Sequence, residues 1–238
     1  MHYNYEYTLR YQDADHTHHV RLNIIEDYLL EVAGTVADDL NFGIKALHPR
    51  GLTWILTNMS LELLETPRHG DHLRFETWIE SNAHMLSTRD FRIYRGDELI
   101  GKCKSVWAVL DLEKREIVNI FDDPMFDGCV DGEVLEMTRM PRLRTVAEPF
   151  ETIDGHVLYS DLDYNGHCNS CHYLEKMLNA YRPEWLYGSI RLDISYQREL
   201  MPEETYVLRY HVEENTVQYQ LQNAAALSSC IASLTKMA

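Results

Sequence analysis

Two overlapping sets of reactive side chains share one short stretch, Asp163-Tyr164-Asn165-Gly166-His167-Cys168-Asn169-Ser170-Cys171-His172. Cys168, Cys171 and His172 have the spacing of c-type haem attachment, of a thiol redox pair and of part of a metal site. Asp163, Asn165 and His167 alternate along the chain, and with Glu199 further on they suit the hydrolysis of an activated acyl group. The Asn165 amide and the backbone N–H groups of Gly166 and His167, at the start of a helix, can hold the oxygen on which negative charge develops. His167 and Glu199 can accept a proton from water, while Asp163 can orient a neighbour or act as base itself. Gly166 allows close approach of backbone to substrate. Singly, each has a plainer role: a helix cap for Asp163, a hydrogen-bonded structural histidine for His167, a solvated strand residue for Glu199.

The cysteine chemistries lose ground on inspection. Haem attachment follows export, and the start "MHYNYEYTLRYQDAD" has no basic n-region, apolar h-region or cleavage site. His167, Cys168, Cys171 and His172 are crowded into six consecutive positions of a helix start, which cannot close a tetrahedron around one zinc ion. A redox pair at a helix N-terminus is chemically reasonable, but the motif lies outside a βαβ context.

An internal repeat offers a simpler account. Tyr11 to His19, "YQDADHTHH", aligns without gaps on Tyr159 to His167, "YSDLDYNGH", sharing Tyr, Asp, Asp and His. In the first copy Val20, Asn23 and Ile24 stand where the second has Cys168, Cys171 and His172. Cys168 thus fills an apolar slot, as a free cysteine commonly does. The copies differ in their polar residues. Asn165 matches Thr17 and Gly166 matches His18, and aligning Pro67 with Pro202 places Glu199 opposite Leu64. Only Asp15 and His19 of the reactive set survive in the first copy, which assigns chemistry to the second.

The elements that must position these residues follow each motif. Leu22, Ile25, Leu29, Val32, Ala33, Val36 and Leu40 recur at helical spacing after His19, and Cys168, Cys171, Leu174, Met177, Leu178 and Tyr181 do so after His167, with Pro183 ending the run. Several β-rich segments follow each helix, with period-2 alternation such as Tyr206, Leu208, Tyr210 and Val212. The expected class is α+β, with two repeats each of a long helix packed on an antiparallel sheet, residues 1–140 and 141–238, whose sheets can meet edge to edge. The linker between them has no evident structure.

Composition narrows the partners. A net charge of -16 argues against nucleic acid and against an anionic membrane surface. No apolar run approaches a membrane span, so a membrane protein is not expected. Five cysteines at positions 103, 129, 168, 171 and 230 form no disulfide framework, which fits a reducing compartment, and the absence of any export or transit signal makes the cytoplasm the expected location. No cofactor or metal is expected, and the oligomeric state stays open, a homodimer included.

The run "DLDYNGHCNSCHYLE" resembles the D-x-D-x-N-x-H-x-N-x-x-Y signature of acyl-acyl-carrier-protein thioesterases, with "SVWAVLDLEKREI" and "LDISYQREL" similar as well. The resemblance implies a double hotdog fold of bacterial type and hydrolysis of the thioester between a fatty acyl chain and the phosphopantetheine arm of acyl carrier protein (ACP), releasing free fatty acid. The family's catalytic Asp, Asn, His and strand acid fall on Asp163, Asn165, His167 and Glu199. Where plant members carry a cysteine after that acid, this chain has Leu200, so a cysteine nucleophile there is ruled out. Water attack and attack by Asp163 remain. The resemblance also places the acyl pocket in the first repeat, with the helix from Leu22 to Leu40 and the strand "GLTWILTNMSLEL" as its expected walls. Docking of an acidic carrier would need a basic patch, for which Arg89, Arg92, Arg95, Lys102, Lys104, Arg139, Arg142 and Arg144 are the candidates. An acyl-CoA thioesterase of the same fold, a non-catalytic acyl-binding protein and a redox protein are the alternatives.

Overall fold

The computed structural model describes residues 1–238. Strand β1 (Tyr3–Thr8) leads through a 3-10 turn into helix α1 (Leu22–Asp39), whose stripe Leu22, Ile25, Leu29, Val32 and Val36 is buried as the spacing requires. The helix ends before Asn41, which takes a left-handed φ of 62°. One further turn, α2 (Ile44–Leu47), precedes strands β2 (Leu52–Leu63), β3 (His72–Ala83), β4 (Leu86–Arg95), β5 (Glu98–Asp111) and the short β6 (Glu116–Val118). The second half repeats the plan with β7 (Glu151–His156), α3 (Ser170–Ala180), β8 (Ile190–Tyr196), β9 (Thr205–Val212), β10 (Thr216–Asn223) and β11 (Ser228–Lys236).

All these strands form one antiparallel sheet in the order β1-β3-β4-β5-β2-β8-β11-β10-β9-β7, with β6 on β5. The second half is the first in reverse order across the β2–β8 pair, where Asn58 faces Ser195 and Leu63 faces Ile190. One continuous core beneath the helices contains Leu29 and Val32 of α1, Phe75 and Phe91 of the first strands, and Leu174, Met177, Leu192 and Tyr219 of the second half. Each such side chain contributes about 1.5–3 kcal/mol by leaving water.

The expectation of two long helices needs correcting. Helix α1 has 18 residues but α3 only 11. Asn169 caps α3 by accepting from the Cys171 N–H at 3.3 Å, and Tyr181 is already extended, two residues before Pro183. The linker also has a definite course. It crosses the sheet face opposite the helices, where Leu135 N–H donates to Asp90 at 3.0 Å, Glu133 O accepts from Trp78 Nε1 at 2.8 Å and Thr138 O accepts from Arg191 at 3.1 Å. No helix is long and apolar enough to cross a membrane.

Glu26 of α1 is fully buried and accepts a hydrogen bond from Tyr196 of β8, tying the first helix to the second half of the sheet. The repeat places Leu174 at the equivalent position. Burial pushes the Glu26 carboxyl up to about 7, against the Tyr196 hydrogen bond and helped by Asp27. An acid whose value is raised by folding holds its proton more tightly in the folded state, so stability is lost as pH climbs from about 4.5 through 7. Glu26→Gln keeps the acceptor for Tyr196 without the charge. It is expected to be neutral at pH 4 and stabilising by about 2–3 kcal/mol at pH 8, read from urea midpoints at the two pH values.

Candidate active site

The repeat seen in the sequence is a repeat of hydrogen bonds. In the first copy Asp15 N–H donates to His19 O at 2.9 Å and His18 N–H to Asp15 O at 3.0 Å; in the second Asp163 N–H donates to His167 O at 2.7 Å and Gly166 N–H to Asp163 O at 3.0 Å. Both turns need a left-handed residue, His18 at φ 69° and Gly166 at φ 80°. Glycine takes that conformation without the cost that a Cβ adds. Apart from its two chain neighbours, no residue comes within 4 Å of where a Cβ on Gly166 would stand, so the turn itself, and no packing against the rest of the chain, accounts for the glycine.

The register corrects one alignment. Val20 N–H donates to Pro67 O at 2.8 Å, and Cys168 N–H donates to Leu200 O at 3.0 Å. Pro67 therefore matches Leu200, and Glu199 stands opposite Thr66 rather than Leu64. The two prolines used as anchors occupy different positions of their turns. The contrast in chemistry survives, since threonine is no acid.

In the second copy His167 Nδ1 lies 3.4 Å from Glu199 Oε1. The other Glu199 oxygen is paired with Arg115, from the turn between β5 and β6. Arg115 escaped the sequence reading because it belongs to the other repeat, 84 positions away. Asp163 Oδ1 accepts from the backbone N–H of Asn165 at 2.8 Å and of His167 at 3.0 Å. This carboxylate holds the turn together. The same bonds overturn part of the expected oxyanion set: the Gly166 and His167 amides already donate to Asp163 and are not free for a substrate oxygen. The Asn165 side-chain amide, 3.4 Å from Asp163 Oδ2 and exposed, is the available donor.

The first copy is closed to this chemistry. His19 stacks on Tyr187 at 4.5 Å, its Nδ1 is 2.9 Å from Thr17 Oγ1, and Asp15 accepts from Thr17 and Tyr187. Burial pushes the Asp15 carboxyl up, but these hydrogen bonds outweigh it and hold it at about 2.

One cavity of about 1170 Å³ connects the two halves. Asp163, Asn165, His167 and Glu199 line it, and so do Leu30, Ala33, Gly34 and Ala37 of α1 and Thr53 to Leu56 of β2. Helix α1 thus uses adjacent faces for two tasks, Ile25, Leu29 and Val32 packing the core while its C-terminal turns wall the cavity. Those turns have no counterpart in the shorter α3.

Cys168 and Cys171 are buried with every other cysteine. Burial pushes Cys168 up to about 12 and Cys171 upward as well, so neither is a thiolate at neutral pH. The zinc-type donors around them do not converge; the side chains that do are His2, Asp131 and Glu133 at the surface. Cys168→Val with Cys171→Ala, the first being the residue of the other copy, is expected to keep turnover within about threefold, because neither thiol meets the ionised form that reaction requires. Loss of activity in a folded double variant would restore the redox reading.

Two helix-and-strand halves sharing one antiparallel sheet, with a carboxylate–histidine pair in the wall of a large cavity between them, have the layout of hotdog-type thioester hydrolases. Sequence models of the acyl-ACP thioesterase N-terminal and C-terminal domains match residues 1–126 and 146–232, and the chain belongs to the acyl-ACP thioesterase family. It is similar to an acyl-ACP thioesterase from Bacteroides thetaiotaomicron, with a TM-score of 0.86, 25% identity and coverage of 98% of this chain and 97% of that one. The 12:0-ACP thioesterase from Umbellularia californica shares the fold, with a TM-score of 0.79 at 17% identity over 98% and 96% of the two chains. An oleoyl-acyl carrier protein thioesterase of Coriandrum sativum is 26% identical over 215 residues, 79% of this chain and 53% of that one. The chain spans about half the length of that curated relative.

Proposed function

We propose that the chain hydrolyses fatty acyl-ACP, releasing free fatty acid and ending chain elongation. The observation that carries this is the cavity itself, whose lining combines the His167–Glu199 pair and Asn165 with Leu30, Trp54, Ile55 and Leu56 of the first repeat. Water attacks the thioester carbonyl while the His167–Glu199 pair takes its proton. The Asn165 amide donates to the oxygen that becomes negative, the C–S bond then breaks, and the departing thiolate recovers the proton. Because Asp163 is committed to the turn by its hydrogen bonds from Asn165 and His167, water is the better nucleophile than Asp163. The division of labour follows: residues 1–140 supply the chain pocket and 141–238 the reacting groups.

Of the cations considered for carrier docking, Arg89 is buried and belongs elsewhere, while Arg92, Arg95 and Lys104 are paired with acids. Arg139, Arg142 and Arg144 of the linker are exposed and stand in no ion pair, which favours the linker as the docking strip. Matched acyl-ACP and acyl-CoA substrates, with chains of varied length and unsaturation, test the proposal. Faster turnover of acyl-ACP supports it, and a strong preference for CoA would replace it by the acyl-CoA reading.

A further inference from the structure

Arg89 of β4 is 4% exposed and lines the cavity, yet its guanidinium makes no ion pair and no hydrogen bond, and its Nη1 is buried without a partner. The ionisable groups that bear on it are Cys129, Tyr3 and Tyr5, and no carboxylate is among them. Burial draws the guanidinium down only to about 10, so it remains a cation. Thr53 Oγ1 and Asn82 Oδ1, two more buried atoms without partners, line the same cavity. Leaving a buried ion uncompensated costs several kcal/mol.

The fold does not demand this arginine. Phe91 pairs with Thr77 in the β3–β4 ladder as Tyr219 pairs with Tyr210 in the β9–β10 ladder, so the equivalent of Arg89 in the second half is Val217, fully buried. An aliphatic side chain satisfies the same position there. Arg89 is also remote from the reacting groups: β4 is three strands from β8, after which Glu199 follows. At the usual strand spacing that is a lateral offset of about 14 Å. A group that meets Arg89 must therefore be carried by the acyl chain well away from its thioester.

We infer that the cavity around Arg89 is a subsite for a carboxylate on the substrate's acyl chain, so that the preferred substrates are half-thioesters of dicarboxylic acids. The inference rests on the thioesterase proposal above. A carboxylate matches both unmet needs of the guanidinium, charge and acceptor atoms. A hydroxyl would meet only the second.

Acyl-ACPs of equal length ending in methyl, hydroxyl or carboxylate distinguish these cases with the intact protein and the variants Arg89→Met and Arg89→Lys. The carboxylate chain is expected to have the highest kcat/KM, by at least tenfold over methyl. Arg89→Met should lower it by roughly 30-fold or more, the usual effect of truncating one partner of a desolvated charge pair, and should raise turnover of the methyl chain. Arg89→Lys should retain part of the carboxylate preference. The free Arg89→Met protein should also melt at a higher temperature, because an uncompensated charge has been removed. Preference of the unaltered protein for methyl or hydroxyl chains would overturn the inference, as would a lower melting temperature in both variants, which would make Arg89 structural. If no acyl-ACP is hydrolysed, the thioesterase proposal fails, and calorimetry with free dicarboxylic and monocarboxylic acids then decides the subsite alone. Tighter binding of the diacid, lost in Arg89→Met, upholds it; equal binding removes it.

Discussion

Glu199→Gln is expected to lower kcat/KM for acyl-ACP by about 10²–10⁴, the range that a positioned general base supplies. The carboxylate stands between His167, at 3.4 Å, and Arg115. An amide of the same shape fills the space but cannot take up a proton, so kcat should fall while substrate binding changes little. Asn165→Ala should cost about 10²–10³ in kcat, as for removal of one donor to a developing oxyanion. The two losses should combine less than additively if both serve one transition state. Steady-state kinetics with one good acyl-ACP substrate, backed by unchanged circular dichroism, checks this. Variants that fold and turn over normally would remove Glu199 and Asn165 from the site.

The second large effect concerns stability. Arg191 of β8 lies in the seam between the halves: its Nε and Nη2 each reach Asp193 at 2.8 Å, its Nη1 reaches Glu62 of β2 at 2.6 Å, and Ser60 donates to Asp193. Ser60 Oγ at 3.3 Å and the linker carbonyls of Thr138 and Arg139 complete its partners. Arg191→Ala would strand the buried Asp193 carboxylate and the half-buried Glu62 and should cost about 3–5 kcal/mol, seen as a lower urea midpoint. Replacing the whole group by Arg191→Met, Asp193→Leu and Glu62→Leu should recover most of that loss, because the desolvation of all three charges disappears with them. A cost below about 1 kcal/mol for Arg191→Ala would mean that the seam is held by its backbone ladder and apolar face alone.

Local pattern carried much of the architecture. The 3.6-residue stripe after His19 marks α1 because helical periodicity needs no distant partner, and the alternation of Tyr206, Leu208 and Tyr210 marks β9 for the same reason. The nine-residue repeat announced two like halves, and Val20 in the place of Cys168 marked that thiol as packing. The length of α3 was less legible, since Leu178 and Tyr181 continue the stripe while the chain turns away toward Pro183.

Two helix-and-sheet halves, the candidate turn Asp163 to His167 and the asymmetry between the copies were all legible in the chain's own pattern. Tertiary structure alone decided that Glu199 matches Thr66, that Arg115 crosses from the first half to meet it, that the Gly166 and His167 amides are occupied, and that Arg89 ends unpaired in the cavity. The physical reason is range. Periodicity and capping record interactions a few residues apart, whereas the ladder order β5-β2-β8 sets which distant side chains share a cavity and which charges find partners.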